Sequence, residues 1–388
     1  MKTRNLVAAI ILAVGFSGLA GAQVMVVGID TKLVFNDQGQ RVNRQPGEDL
    51  VQFYDLKDPA HPALIGALPL TNSVVGPPTN LAVTPDQSLA LIANSLNWQP
   101  VDGGTWKPVP DDRLFVVDLT ARPPKLISTV KVGSQPSGLA IDRTGTLALV
   151  ANRDGKSISV LSIHGQDVQV TDTVQMNDEV TSVAITPDGK RALVAKFLAH
   201  KVAVLSIDDG HVQPTGYEMP AGLFPYTVTI TPDGHTGLAG NTGKADSNGN
   251  VDPVTVMDLQ ASPPRVVDYV TAGDSVEGLV VSPRGDFALA TILNGSYDAA
   301  IDSWFRHKTG LAVLLRIKNG HIRRADTIEV GAFPEGAAFS PDGRYAYTGN
   351  FASNTISVLR VQHDGHLVDT HADIALPGPP GSLRVGSQ

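Results

Sequence analysis

Gly133-Ser-Gln-Pro-Ser-Gly-Leu-Ala-Ile-Asp-Arg-Thr-Gly145, Leu147-Ala-Leu-Val-Ala-Asn152 and Ser157-Ile-Ser-Val-Leu-Ser-Ile163 follow one another in the middle of the chain. Each is a short run of Val, Ile, Leu and Ala bounded by Pro, Asp and Gly, which is strand length with turn chemistry at its ends. The unit then repeats. Val183-Ala-Ile-Thr-Pro-Asp-Gly189 and Ala192-Leu-Val-Ala195 open the next copy, and Thr84-Pro-Asp-Gln87, Thr231-Pro-Asp-Gly234, Ser282-Pro-Arg-Gly285 and Ser340-Pro-Asp-Gly343 mark others. The turns recur every 44 to 58 residues. Four strands per unit are expected, for example 138–142, 147–152, 157–163 and 168–175, and no segment shows helical periodicity. Four-stranded units of this length predict an all-β, seven-bladed β-propeller.

The count of seven comes from the two ends. Six copies are complete. Pro377-Gly-Pro-Pro-Gly-Ser-Leu-Arg-Val385 matches only the opening of a copy, whereas Val24-Met-Val-Val27, Leu50-Val-Gln-Phe-Tyr54 and Ala63-Leu-Ile-Gly-Ala-Leu68 supply the rest. A last blade made from both ends, with its innermost strand from the C-terminus, leaves no open edge where they meet.

The 388 residues carry a formal charge of −8, 42% hydrophobic residues, 38 Gly, 27 Pro and no Cys. The hydrophobic fraction excludes wholesale disorder, and the acidic balance argues against a nucleic-acid partner. Without Cys there is no disulfide scaffold, thiolate metal site or cysteine nucleophile. Lys2 and Arg4, an apolar run from Leu6 to Ala20 and the small residues Ala20-Gly21-Ala22 have the anatomy of a secretory signal peptide over residues 1–22. Residues 23–388 are then one propeller domain, expected to be periplasmic or secreted, with no membrane span.

Leu149-Val-Ala-Asn152, Tyr347-Thr-Gly-Asn350 and the Ser-Ile-Ser-Val and Thr-Ile-Ser-Val strands that follow them resemble the repeats of the YVTN-repeat, lactonase-like seven-bladed propellers. The resemblance covers essentially the whole chain after residue 22. It implies the propeller fold, and it implies an activity on a sugar or hydroxy-acid lactone.

The loops that join second to third strands, and those that lead into each blade, share one face. Four second-to-third connections carry insertions there: Asp30–Asp49, Ser95–Asp112, Thr242–Pro253 and Asn294–Gly310. Long loops on a rigid scaffold point to a site or a lid. Trp98, Trp106 and Trp304 all lie in them, either offering contact area to a ligand or pinning their own loops to the rim. His307, between Arg306 and Lys308, is a further candidate for substrate binding. Asp246-Ser-Asn248-Gly-Asn250-Val-Asp252 spaces oxygen ligands as calcium loops do, but reads better as a polar turn, so no metal site is assigned.

The blade-leading loops set one residue per blade at the channel mouth: Thr79, Ser137, Thr181, Tyr226, Glu277, Glu335 and Gly381. Glu277 and Glu335 fall on consecutive blades, and paired carboxyls can divide into acid and base. Arg384 stands where the other innermost strands carry Ala, Thr or Val. It can hold an anion or an oxyanion, or it can close the ring by pairing with a Glu. Two functions follow. In one, a Glu activates water, Arg384 steadies the oxyanion, and Tyr226, Trp98, Trp106, Trp304 and His307 contact a lactone. In the other, the same face binds a protein, glycan or small ligand without catalysis. A redox subunit is disfavoured, because there is no haem motif, and no cofactor is expected.

Overall fold

The computed structural model describes residues 23–36, 38–47, 49–73, 76–244 and 246–386. The proposed signal peptide, 1–22, lies outside them. Among the described residues every element is a strand, and no helix is long and apolar enough to cross a membrane. Seven four-stranded antiparallel sheets form the ring, blade six carrying an extra short outer strand. Blade two consists of Pro136–Ile141, Leu147–Asn152, Ser157–His164 and Asp167–Gln175. Blade seven is the split one. Pro380–Val385 pairs with Val24–Ile29, Met25 opposite Val385 and Val27 opposite Leu383, and Leu50–Asp55 and Ala63–Pro69 complete the sheet.

The repeated residues do identifiable work. In Thr231-Pro-Asp-Gly234 the Thr231 hydroxyl donates to Asp233 at 2.5 Å and accepts from the Thr236 amide at 3.0 Å, while Gly234 takes φ +76°. Only glycine accepts that backbone cheaply. Asn152 and Asn350 each end a second strand and donate from Nδ2 to two hydroxyls on the third, Ser157 and Ser159 or Thr355 and Ser357, at 3.0–3.1 Å. This clamp is why the repeats pair an Asn with hydroxyls five and seven residues later.

Cores form between neighbouring blades. Leu149, Val160, Val180, Val194 and Leu205 belong to one such cluster and are fully buried. Each contributes on the order of 2 kcal/mol by leaving water. Outermost strands such as Asp167–Gln175 are mostly exposed.

Two insertions differ from the loops expected. Ser95–Asp112 is an extension of strands Leu89–Val101 and Thr105–Asp118, laddered to Val101 opposite Thr105. Asp102-Gly-Gly104 is the hairpin signal behind it, with Gly103 and Gly104 at φ +86° and +76°. Asp30–Asp49 likewise holds a small hairpin, Leu33–Phe35 paired with Arg41–Asn43.

Candidate functional site

At the face bearing the insertions, the innermost strands of blades two to six break register after their first residue, between Pro136 and Leu139, Val180 and Val183, Pro225 and Thr227, Val276 and Leu279, and Pro334 and Ala337. These bulges take Ser137, Thr181, Tyr226, Glu277 and Glu335 out of the ladder at the channel mouth. Blades five and six meet closely there. A Cβ on Gly278 would lie 2.3 Å from the Glu335 carbonyl oxygen, so only glycine fits. Thr291 joins the two strands, accepting from the Gly278 amide and donating to the Glu335 carbonyl, both at 2.7 Å.

The two carboxyls are buried, and burial governs their charge. Glu277 is pushed up to about 8 by desolvation and by the nearby Asp298, against the lowering influence of Arg41. Glu335 is raised well above the carboxylate range by desolvation and then by Glu277, and its Oε2 has no hydrogen-bond partner. Burial also raises the Tyr226 phenol, with Glu277 and Glu335 adding to the effect. Tyr226, Glu277 and Glu335 therefore share one electrostatic environment with Arg41. At neutral pH it favours protons held on the acids and on the phenol.

The 33–43 hairpin spans the mouth. Its Arg41 pairs with Asp246 of blade four, and Asn43 Nδ2 donates to the Trp106 carbonyl of blade one at 3.1 Å. Phe35 packs on Phe333 and Phe351 of blade six and on Tyr297 of blade five, centroids 4.8, 6.2 and 6.4 Å apart. Its base is anchored by the buried Lys32, which pairs with Asp30 at 3.0 Å and with Asp49, and donates to the Asn72 carbonyl at 2.7 Å.

The expected residues divide accordingly. Tyr226, Glu277 and Glu335 come together beneath the hairpin. Trp98 is 3% exposed, packed with Leu33, Leu96 and Phe351 and lying 5.4 Å from Lys32 Nζ, so it offers no open face. Trp106 is partly buried against the same cluster. Trp304 is 82% exposed on the rim, edge-on to Phe305. The His307 Nδ1 lies 2.8 Å from the Asn294 carbonyl and holds its own loop.

Arg384 is not with the acids. It lies three positions further down its strand (compare Glu277 with Val280), a rise of about 10 Å. Its Nε donates to the Leu81 carbonyl at 3.1 Å, and it forms no ion pair among the described residues. The ring is closed by strand pairing, with no Arg384–Glu bridge.

The 246–252 turn is braced by acids of the neighbouring blade-five loops. The Ser247 amide donates to Asp298, and the Asn248 and Gly249 amides donate to Asp274, at 2.7–3.0 Å. No cluster of three or more potential metal ligands occurs among the described residues. Lys32, Arg41, Thr291 and Asp298 were not singled out from the sequence.

The likenesses to known proteins are structural. No family model and no curated protein matches the chain. A candidate 6-phosphogluconolactonase from Bacteroides uniformis superposes with TM-score 0.71 at 17% identity, covering 94% of this chain and 99% of that one. The periplasmic gluconolactonase PpgL of Pseudomonas aeruginosa does so with TM-score 0.62 at 21% identity, covering 94% and 99%. Hydrazine synthase of Kuenenia stuttgartiensis matches with TM-score 0.60 at 22% identity, covering 81% and 90%. These chains share the fold while differing in the chemistry their names describe, so activity has to be argued from the site.

Proposed function

We propose that the chain is an exported lactonase, opening a sugar or hydroxy-acid lactone at the hairpin-covered mouth of the channel. The observation that carries the reading is the pair Glu277 and Glu335, two buried carboxyls with raised pKa on adjacent bulges beside a protonated Tyr226. Glu277, the less strongly shifted, is the base, and Glu335 the acid. Glu277 takes a proton from water as the water oxygen bonds to the lactone carbonyl carbon, and the Tyr226 hydroxyl donates to the oxyanion. Collapse breaks the ring acyl–oxygen bond, and the departing oxygen takes the Glu335 proton. The hydroxy acid ionises to its carboxylate and releases its proton to solvent, and Glu277 passes its proton to Glu335, which restores the starting charges. A base with pKa near working pH combines adequate ionisation with basic strength. Substrate enters when the 33–43 hairpin lifts from Asp246 and Tyr297, and exposed Trp304 meets it on the rim.

The likeness to two lactonase-named propellers supports the substrate class. A panel of five- and six-membered aldonolactones, assayed with wild type, Glu277→Gln, Glu335→Gln and Tyr226→Phe, tests it. We expect turnover in wild type and a loss of 10²-fold or more in each Glu variant, the order expected for acid–base groups. No turnover of any lactone by folded wild type would end this reading and leave the face as a binding surface for a glycan or protein. Export is tested by expressing the full chain with its first 22 residues and sequencing the mature N-terminus, expected at Gln23.

A further inference from the structure

The opposite half of the channel holds a cavity of about 320 Å³, lined by innermost strands of blades one to five and seven. Its inner wall is apolar and small, built from Ala82, Ala140, Ala184 and Val280 with Thr229 the one hydroxyl among those positions, and the Thr186 and Ser282 hydroxyls nearer the outlet are spent on their own turns. Into this apolar space projects Arg384. Of its five N–H donors it spends one among the described residues, on the Leu81 carbonyl. The surface it keeps faces the cavity.

Desolvation alone lowers the Arg384 pKa, to about 10, and no neighbouring carboxylate offsets it. The guanidinium is still charged at neutral pH. The acid on the cavity wall, Asp142, is engaged elsewhere, accepting from the Thr146 and Leu147 amides at 2.9 Å and from the Thr144 hydroxyl. At the outlet the exposed Arg143 reaches across to the Pro232 carbonyl of blade four.

A cation enclosed without a counter-charge is a costly arrangement in a stable fold. A planar carboxylate would satisfy the guanidinium fork with two parallel hydrogen bonds. The surrounding Ala and Val side chains would receive a short alkyl body, whereas a polyol would leave hydroxyls unpaired there.

We propose that the lower channel is a binding site for a short aliphatic carboxylate, held by Arg384 and separate from the acidic pair. The site does not depend on lactone chemistry.

Isothermal titration of the mature protein with butyrate, gluconate, inorganic phosphate and butyramide tests this. Saturable butyrate binding is expected, with gluconate and phosphate at least tenfold weaker and the uncharged amide not bound. Arg384→Met should weaken butyrate at least tenfold. Ala140→Leu and Thr229→Leu provide an arm independent of any misfolding of the Arg384 variant: both residues keep surface in the channel, and filling it leaves the guanidinium in place. Each should abolish butyrate binding with an unchanged melting transition. Absence of butyrate binding to wild type, undiminished binding by the filled-cavity variants, equal binding of butyramide, or a preference for phosphate or gluconate would each overturn the proposal.

Discussion

The Thr291 hydroxyl donates to the Glu335 carbonyl at 2.7 Å, so a side chain of blade five fixes the backbone that carries the acid of blade six. The same oxygen accepts from the Gly278 amide, the residue after Glu277. One hydroxyl thus sets the spacing of both carboxyls.

Replacing Thr291 by Val keeps the shape and removes both bonds. Two buried backbone groups lose their partner, costing about 1–3 kcal/mol each. We expect a lower urea midpoint and, if the mouth is catalytic, a loss in kcat larger than any change in KM. Thr291→Ser, which restores the hydroxyl, should recover most of both.

The raised acid makes stability depend on pH with a definite sign. Glu277 titrates at about 8 in the folded protein and at about 4.3 when unfolded. Between those values the native state holds a proton that the unfolded chain has lost, so this group's effect is to lower stability as pH rises from about 4.3 to about 8, with no further change above. Glu277→Gln should stabilise the protein at pH 9 and change little at pH 4, measured by urea midpoints across the range. An unchanged difference at the two pH values would contradict the burial assigned to Glu277.

Lys32 is the anchor of the hairpin. Lys32→Met would leave Asp30 and Asp49 buried without their cation, a loss of about 3–5 kcal/mol where one partner of a buried pair is removed. Amide exchange in residues 33–43 should accelerate far more than exchange in blades two and three. Uniform acceleration across the ring would show that the hairpin is not a separate unit.

Removing Pro379 to Gln388 takes away the innermost strand of blade seven. Leu383 and Val385 are buried, and each contributes on the order of 2 kcal/mol. A fall in Tm on the order of 10 °C or more is expected, read by scanning calorimetry. An unaltered Tm would be incompatible with closure by Val24–Ile29 and Pro380–Val385.

The propeller was legible because its determinants are local. Thr-Pro-Asp-Gly turns and Asn–hydroxyl clamps act within about seven residues, and strand 157–163 was placed within one residue of Ser157–His164. Tyr226, Glu277 and Glu335 were legible for the same reason, since position after the blade-leading loop fixes who reaches the mouth. What covers the mouth was not. Arg41 meets Asp246 across 205 residues of sequence, and nothing local to either announces the other. Arg384 shows the remaining gap: the repeat identifies its strand, but grouping it with the acids overlooked its depth along that strand. Trp98 reads the same as an open or a buried ring until the hairpin is seen lying on it.

The pairing of Met25 with Val385 also sets an order in time. Six blades are contiguous segments, and each can form as soon as its own residues are available. The seventh waits for strands some 360 residues apart to find one another, a search that topology makes slow. Until then Val24–Ile29, apolar along its length and wholly buried in the finished ring, presents an unpaired edge of the kind that recruits other chains. The vulnerable moment of this protein's life is the interval before its last strand arrives, and conditions that lengthen it should yield aggregates rather than a loosened ring.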